Sequence, residues 1–461
     1  MMGLFIFDSR FVGVMMHLQG GFTELVDRSE LKKRVFEAVD AAAPTVKAYA
    51  DDIAAHAELG YSENRTSDKL AEALEAAGLQ VKRGLAITGL RADIGNNPGP
   101  KVAVLGELDG IICRNHPQAN PVDGASHSCG HNLQTSMVLT VGTALAKSGI
   151  MKDLDGSVAL MGVPAEEFIQ VDHRKKLRDE GKIGYLCGKQ EFVRLGEFDD
   201  VDMAMMIHAG EWSPCGAFSA LAHGNGFRIF MIRYEGRQAH AAAAPDQGIN
   251  ALYAAVAGIN AVNALRETFR DSDHVRVHFI ITKGGDSANS VPDDVRLEGY
   301  VRAASIDVID KVFVKVERAF KSGADALGCK FHFTSIPGDM PLEVCADFNR
   351  LFVDNAAQLV GRENVLTGTY FSASTDMGDI CHLMPAIHPL AGGSVGALHS
   401  AGFRVVDFNS AVLTSAKAML ATIVDLLADN AVQAHKIIDN FKPIYTKEQY
   451  LSAMDSRFSE Y

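Results

Sequence analysis

Cysteine is sparse in this chain and never stands in a metal-knuckle spacing. The seven cysteines, at positions 113, 129, 187, 215, 329, 345 and 381 of 461, are scattered, odd in number and nowhere C-x-x-C. That excludes a structural zinc knuckle, argues against a disulfide framework and fits a reducing compartment. Basic excess is also missing: Lys plus Arg is 44 against 57 for Asp plus Glu, a formal charge of −13 with no basic tract. Nucleic acid is therefore not an expected partner. No uninterrupted run reaches the ~18 apolar residues of a membrane span, so no membrane partner is expected. The apolar stretch 4–16 contains Asp8 and Arg10 and has no basic leader or small-residue cleavage site, so no signal peptide is expected there. The first fifteen or so residues fit no element, and Met15 or Met16 would serve as a later start. Internal repeats and low-complexity segments are absent. Val104-Leu105-Gly106-Glu107-Leu108-Asp109-Gly110 follows a strand pattern but lacks G-x-G-x-x-G, which argues against nucleotide binding. The expectation is a soluble cytoplasmic protein.

What is present is ordinary globular composition, 47% hydrophobic and 22% charged. At a loose prior of ~150 residues per domain the length suggests two or three domains. A helical period runs through 30–77. Short apolar runs at 89–94, 101–105, 157–163 and 203–208 then alternate with helical stretches at 135–147 and 189–195, the rhythm of a largely parallel sheet covered on both faces. Between 225 and 338 the order changes to strand 227–234, helix 250–265, strands 274–282 and 294–303, helix 308–326 and strand 330–335. That is the βαββαβ ferredoxin-like unit, long enough for a core of its own. Helices over 346–360 and 410–428 then resume the first rhythm. The expected architecture is α/β: one domain split into 17–224 and 339–461, with the ferredoxin-like module 225–338 inserted.

Four short motifs carry chemistry. In Ser126-His127-Ser128-Cys129-Gly130-His131-Asn132 a thiol and an imidazole stand two apart, on a turn expected just before the 135–147 helix; together they suit a borderline-soft ion such as zinc. A buried Cys beside a hydrogen-bonded His, or Cys129 as the nucleophile of a Cys/His hydrolase, are the other readings. Pro164-Ala165-Glu166-Glu167 follows the 157–163 strand, at a carboxyl end where active-site groups collect in open parallel sheets. A cation would relieve the repulsion between adjacent buried carboxylates, with one as ligand and one as base; the alternative is a solvated loop pair. His208 closes the apolar 203–208 run, where a satisfied core histidine is the commoner case, and His399 lies in a loop after Gly392-Gly393. Together these are five candidate ligands of mixed N, O and S type, enough for two ions sharing a bridge.

The ordered motifs are His56-Ala57-Glu58-Leu59-Gly60, Gly106-Glu107-Leu108-Asp109, His127-Ser128-Cys129-Gly130-His131-Asn132, Pro164-Ala165-Glu166-Glu167 and Ile207-His208. They continue with Gly236 to His240 and Pro245, Gly284-Gly285 with Asn289 and Pro292, Arg302, Ser374-Thr375-Asp376-Met377-Gly378-Asp379 and His399-Ser400. In these the chain resembles the M20 metallopeptidase family, in its amidohydrolase branch, over about residues 50 to 420. Asn132 and the Ser374–Asp379 run depart from the commonest pattern and look more like the aminobenzoyl-glutamate hydrolase and dipeptidase subgroup.

The resemblance implies an enzyme that hydrolyses the amide of small N-acyl amino acids, aminobenzoyl-glutamate-like conjugates or dipeptides. It implies two divalent ions per subunit, zinc or manganese with cobalt also admitted. Cys129 would bridge them, with His131, Glu167, His208 and His399 completing the ligands. Glu166 becomes the general base, Asp109 a supporting carboxylate behind the ligands, and His240 a donor to the oxyanion. Asn289 and Arg302 fall at substrate-binding positions, Arg302 suited to a free carboxylate. The inserted module corresponds to the family's lid, through which a homodimer is expected. Residues 168–188, with Arg174, Lys175, Lys176 and Arg178, look like an insertion that either borders the cleft or forms an exposed charged helix. The rivals are a thiol hydrolase built on Cys129 and a catalytically silent binding or partner subunit.

Overall fold

Apolar residues at three- and four-residue steps build the first helix, Arg28–Ala54, whose Leu31, Val35, Val39, Val46 and Ile53 are buried. The computed structural model describes residues 27–95, 97–211 and 216–461; the 4–16 stretch and Cys215 lie outside them. The helical period expected through residue 77 is interrupted after Ala54 and resumes as Asn64–Ala76. The Glu58 carboxylate sets the restart, accepting from the backbone N–H of Arg65 and Thr66 at 3.0 and 2.8 Å, donors that a first helical turn leaves unpaired.

The central sheet has six strands in the order Val81–Leu85, Gly89–Ile94, Ser157–Val163, Lys101–Glu107, Met203–Met205 and Ala386–Ile387. The first two junctions are antiparallel and the other three parallel. All of Ser157–Val163 is buried, as a strand covered on both faces must be. Arg28–Ala54, His131–Ser148 and Ser415–Leu427 pack on one face, while Gly188–Leu195 and the helix Lys447–Ser456 help to close the other. The apolar run Asn409–Leu427, mean hydropathy 1.5, is long enough to cross a membrane by length alone, but 83% of its window is buried in this core.

A second sheet went unanticipated: Val365–Phe371, Phe218–Gly224, Leu390–Val395 and Arg404–Val405, with His208–Glu211 paired to Leu390–Val395. The single strand expected over 203–208 is thus two strands, one in each sheet. The chain crosses between them at Met206-Ile207, which places His208 at their junction.

The inserted module runs from Gly226–Glu235 to Lys330–Pro337, all antiparallel, around a core of stacked and edge-on Phe230, Phe313, Phe320 and Phe333. Its sheet gains a fifth strand from the end of the chain, Ser459–Glu460, against Thr334 and Ser335. The segment expected to stay with the catalytic domain through residue 461 therefore ends on the lid, satisfying backbone groups that an open sheet edge would leave unpaired.

Candidate metal centre

Gly130 creates the turn between Cys129 and His131. Its φ of +85° suits glycine, and an added Cβ would sit 2.6 Å from the Ala209 side chain, in the strand begun by His208. The helix starts at His131 itself, four residues earlier than the period suggested, so the imidazole sits buried on the first turn. His131 Nδ1 faces the Asp109 carbonyl at 2.8 Å and Asp109 Oδ1 at 3.2 Å, which orients Nε2 toward Glu107 and Glu166. His208 Nδ1 faces the Ala209 carbonyl at 2.8 Å, which leaves Nε2 available. The His399 backbone N–H donates to the Ser128 carbonyl at 2.9 Å and so ties the last motif to the first.

Cys129 Sγ is the point of convergence, 3.4 Å from His208 Nε2 and 3.2 Å from His399 Nε2. Donor atoms of Cys129, His131 and His208 lie within 4.8 Å of one another, as do those of Cys129, Glu167 and His399. Two triads therefore share one sulfur. His399 Nε2 is 2.9 Å from Glu167 Oε1, and the Glu167 N–H donates to Asp109 Oδ2 at 2.9 Å. Two buried atoms, His131 Nε2 and Glu167 Oε1, meet no partner in hydrogen-bonding geometry although acid or imidazole stands near each. Buried polar atoms are ordinarily paired. A thiol, three imidazoles and a carboxylate converging in this way fit divalent ions of borderline softness.

Burial, with Glu167 close by, pushes the Cys129 thiol well up, the reverse of what a free nucleophilic thiolate needs. Burial and the charges of Glu107 and Glu167 push Glu166 well above the carboxylate range. For Glu167 burial also raises the pKa, but the nearby His399 ring outweighs it and leaves it low. Adjacent carboxylates thus occupy opposite environments, and Glu166 Oε2 lies 3.9 Å from His131 Nε2.

Ala165, just before them, holds φ = +56°, a left-handed conformation costly to a residue with a side chain. Both its backbone groups are tied by buried side chains: its N–H donates to Glu63 Oε1 at 2.8 Å, and its carbonyl accepts from Arg174 Nη1 at 3.2 Å. Arg174 also donates to the Leu186 carbonyl at 3.0 Å. The 168–188 insertion thus combines both expectations. Its helix Val171–Asp179 exposes Lys176 and buries Arg174, while Phe168 lines the cleft edge-on to Phe227 of the lid.

A cavity of about 250 Å³ opens beside Cys129, Glu166 and Glu167, and Arg302 from the lid faces it. Of the other positions expected to meet substrate, His240 and Asn289 do not line that cavity. They sit together at an exposed tip of the module, where the Ala241 N–H donates to the Asn289 carbonyl at 2.9 Å. Residues the motifs did not flag lie deeper. Lys189, fully buried, donates to Glu107 Oε1 at 2.6 Å and to Asp376, and Gln134 Nε2 donates to Glu107 Oε2 at 2.8 Å. Burial opposes the Lys189 charge, but Asp376 and Glu107 more than restore it. His388, buried against the His208 ring with neither nitrogen partnered, also lines the cavity. The one signal for Glu107 and Asp376 was their place inside recognised motifs; Lys189 had none.

Residues 225–326 match the M20 peptidase dimerisation domain. Over 457 residues the chain is 28% identical to the Xaa-Arg dipeptidase of Mus musculus, covering 94% of this chain and 97% of that one. The matched module makes the chain similar to the M20 peptidases. The M20 relatives include a p-aminobenzoyl-glutamate hydrolase component of Escherichia coli K12, 28% identical over 313 residues, 64% of this chain and 58% of the relative. A solved M20 structure from Bacillus subtilis, a dinuclear metal-binding peptidase, shares the fold with a TM-score of 0.61 at 20% identity, over 84% of this chain and 99% of that one.

Proposed function

We propose that this protein is a metal-dependent amidohydrolase that cleaves small N-acyl amino acids, aminobenzoyl-glutamate-like conjugates or dipeptides. The observation that carries the reading is the convergence of two ligand triads on Cys129 beside a carboxylic acid, Glu166, held at high pKa. Cys129, His131, Glu167, His208 and His399 would hold two divalent ions, zinc or manganese with cobalt as an alternative. Bound there, the ions would supply Lewis acidity, which lowers the pKa of water to roughly 7 and polarises an amide carbonyl.

This chain's own residues do the rest. Glu166 takes a proton from the attacking water and returns it to the departing amine, a role suited to a carboxyl whose pKa is raised by burial and by neighbouring carboxylates. Asp109 fixes the His131 ring and the Glu167 backbone. Arg302 receives the free carboxylate of the substrate. His240 and Asn289, remote from their own chain's cavity, serve a partner's site as oxyanion donor and substrate contact in a homodimer made through the lid. The names of the relatives, an Xaa-Arg dipeptidase and an aminobenzoyl-glutamate hydrolase, support small carboxylate-bearing amides. The scattered free cysteines support a cytoplasmic location.

The test is a screen of N-acyl amino acids, aminobenzoyl-glutamate and dipeptides before and after chelation, with divalent ions added back. Turnover lost on chelation and regained with zinc, manganese or cobalt is the expected result. Turnover that survives chelation points to Cys129 as nucleophile, and no turnover with ions bound points to a silent subunit.

A further inference from the structure

Two segments cross side by side from the central sheet to the second sheet, and each delivers a histidine to the cavity. Met203–Met205 passes through Met206-Ile207 into His208–Glu211, and Ala386–Ile387 passes through His388-Pro389 into Leu390–Val395. The two run parallel, with Ile387 opposite Met205 and Leu390 opposite His208. The Met206 N–H donates to the Ile387 carbonyl at 3.2 Å and the His208 N–H to the Pro389 carbonyl at 3.0 Å, so the crossings hold each other in place. Pro389 also disfavours the helical region for the residue before it. His388 therefore stands beside His208, the rings edge-on with centroids 5.8 Å apart.

The two histidines differ in what they meet. His208 faces the Ala209 carbonyl and the Cys129 sulfur. His388 is 1% exposed, belongs to none of the ligand clusters, and has no partner at either ring nitrogen. Burial, with His208 beside it, keeps the ring neutral, with one N–H and one lone pair. Buried groups of that kind are ordinarily paired. The ring lines the cavity together with Cys129, Glu166 and Arg302, so a molecule in the cavity can supply what it lacks. A small N-acyl amino acid brings two kinds of oxygen acceptor, a carboxylate and an amide carbonyl. The Arg302 guanidinium suits the carboxylate, which leaves the carbonyl oxygen for His388. Ser374 Oγ on the same wall also lacks a partner, but a hydroxyl can turn to find one, whereas a packed imidazole is fixed in aim.

We propose that His388 is a catalytic residue that donates a hydrogen bond from its ring N–H to the carbonyl oxygen of the amide under attack and stabilises the negative charge that develops there. This rests on the amidohydrolase reading above and deepens it: the donor belongs to the chain that carries Glu166, whatever a partner's His240 adds.

The experiment uses the metal-loaded protein with three variants. His388→Phe keeps a ring and removes the N–H, His388→Ala serves in its place if the phenyl ring is not accommodated, and His388→Gln keeps a neutral N–H donor. Metal content and melting temperature are measured in each. So are kcat and KM for an N-acyl amino acid, and calorimetric binding of its phosphonate analogue, whose tetrahedral anion resembles the attacked amide. Loss of one such donor predicts a kcat lower by about 100-fold with KM little changed and metal content intact. Affinity for the analogue should fall in parallel, while binding of the free product amino acid, which has no amide carbonyl, stays at the wild-type value. His388→Gln should recover part of both losses. Metal lost along with turnover makes His388 a support for His208, and wild-type values in the variants without the N–H make it a bystander. Either result overturns the assignment and leaves the amidohydrolase reading standing. A wild type that hydrolyses nothing fails that broader reading, and the analogue's affinity with and without the His388 ring then still decides for or against the donor.

Discussion

At the scale of single residues, the most informative contrast is between two neighbours of one chemical type. Glu166 and Glu167 share a turn, yet Glu167 is pulled low by His399 while Glu166 is pushed high by burial and by two nearby carboxylates. A ligand must be a carboxylate; a proton carrier must be able to accept and release at working pH. The two environments fit the proposed division of roles between base and ligand. Glu166→Gln removes the proton acceptor and leaves the ligand set intact. Metal content measured by elemental analysis should therefore stay near wild type, while turnover falls by at least ~100-fold. Glu167→Gln should instead lower metal occupancy, because a neutral amide replaces a charged ligand. The reverse pattern would mean the two roles are exchanged.

At the scale of elements, the 168–188 insertion shows how a segment outside the ligand motifs supports them. Arg174 from its helix donates to the carbonyls of Ala165 and Leu186, and so helps hold the strained residue that aims both glutamates. Arg174→Ala leaves two buried carbonyls short of a partner, each at a cost of about 1–3 kcal/mol. The expected outcome is faster amide hydrogen exchange over residues 165–186 and a lower kcat with KM little changed. Arg174→Lys recovers only part, since an ammonium lacks the guanidinium fork. Unaltered exchange in Arg174→Ala would make the helix a mere appendage. The same scale shows what could be read from the chain. Strands Ser157–Val163 and Asp294–Ala303 and helix Ala346–Val360 were legible because apolar runs or periods end at clear boundaries. The candidate ligands were legible because they sit in short motifs at turns and element ends. The second sheet was not: Val365–Phe371 is largely exposed, so no apolar run marks it. Lys189 was invisible for a different reason. Its partners Glu107 and Asp376 stand 82 and 187 positions away, and no local pattern encodes such a pairing.

At the scale of the whole molecule, one chain holds an unequal share of the expected machinery. Cys129, Glu166, Glu167, His208, His399 and Arg302 surround one cavity, whereas His240 stands exposed on the lid tip, with Nδ1 accepting from the Ala242 and Ala243 N–H groups at 3.2 Å. That pairing directs Nε2 outward. The lid also offers surfaces for a second copy: the edge strand Arg276–Lys283 exposes Ile280 and Ile281, and the helix Ala251–Leu265 exposes Tyr253 and Val256. If a two-fold pair forms there and each tip reaches the other chain's cavity, every site joins one chain's Glu166 to its partner's His240. His240→Ala and Glu166→Gln should then each be nearly inactive as homodimers. In a mixed dimer, the chain with His240→Ala still has Glu166, and its partner supplies an intact His240, so one of the two sites is whole. The other site carries both lesions. Statistical assembly of closed pairs makes about half the dimers mixed, so co-refolded mutants should regain roughly a quarter of wild-type activity. If His240 acts within its own chain after a lid movement, both sites of every mixed dimer stay broken. Proven heterodimers without recovered activity would therefore place His240 in its own chain's site or outside catalysis, and would leave Cys129, Glu166 and Arg302 to act within a single subunit.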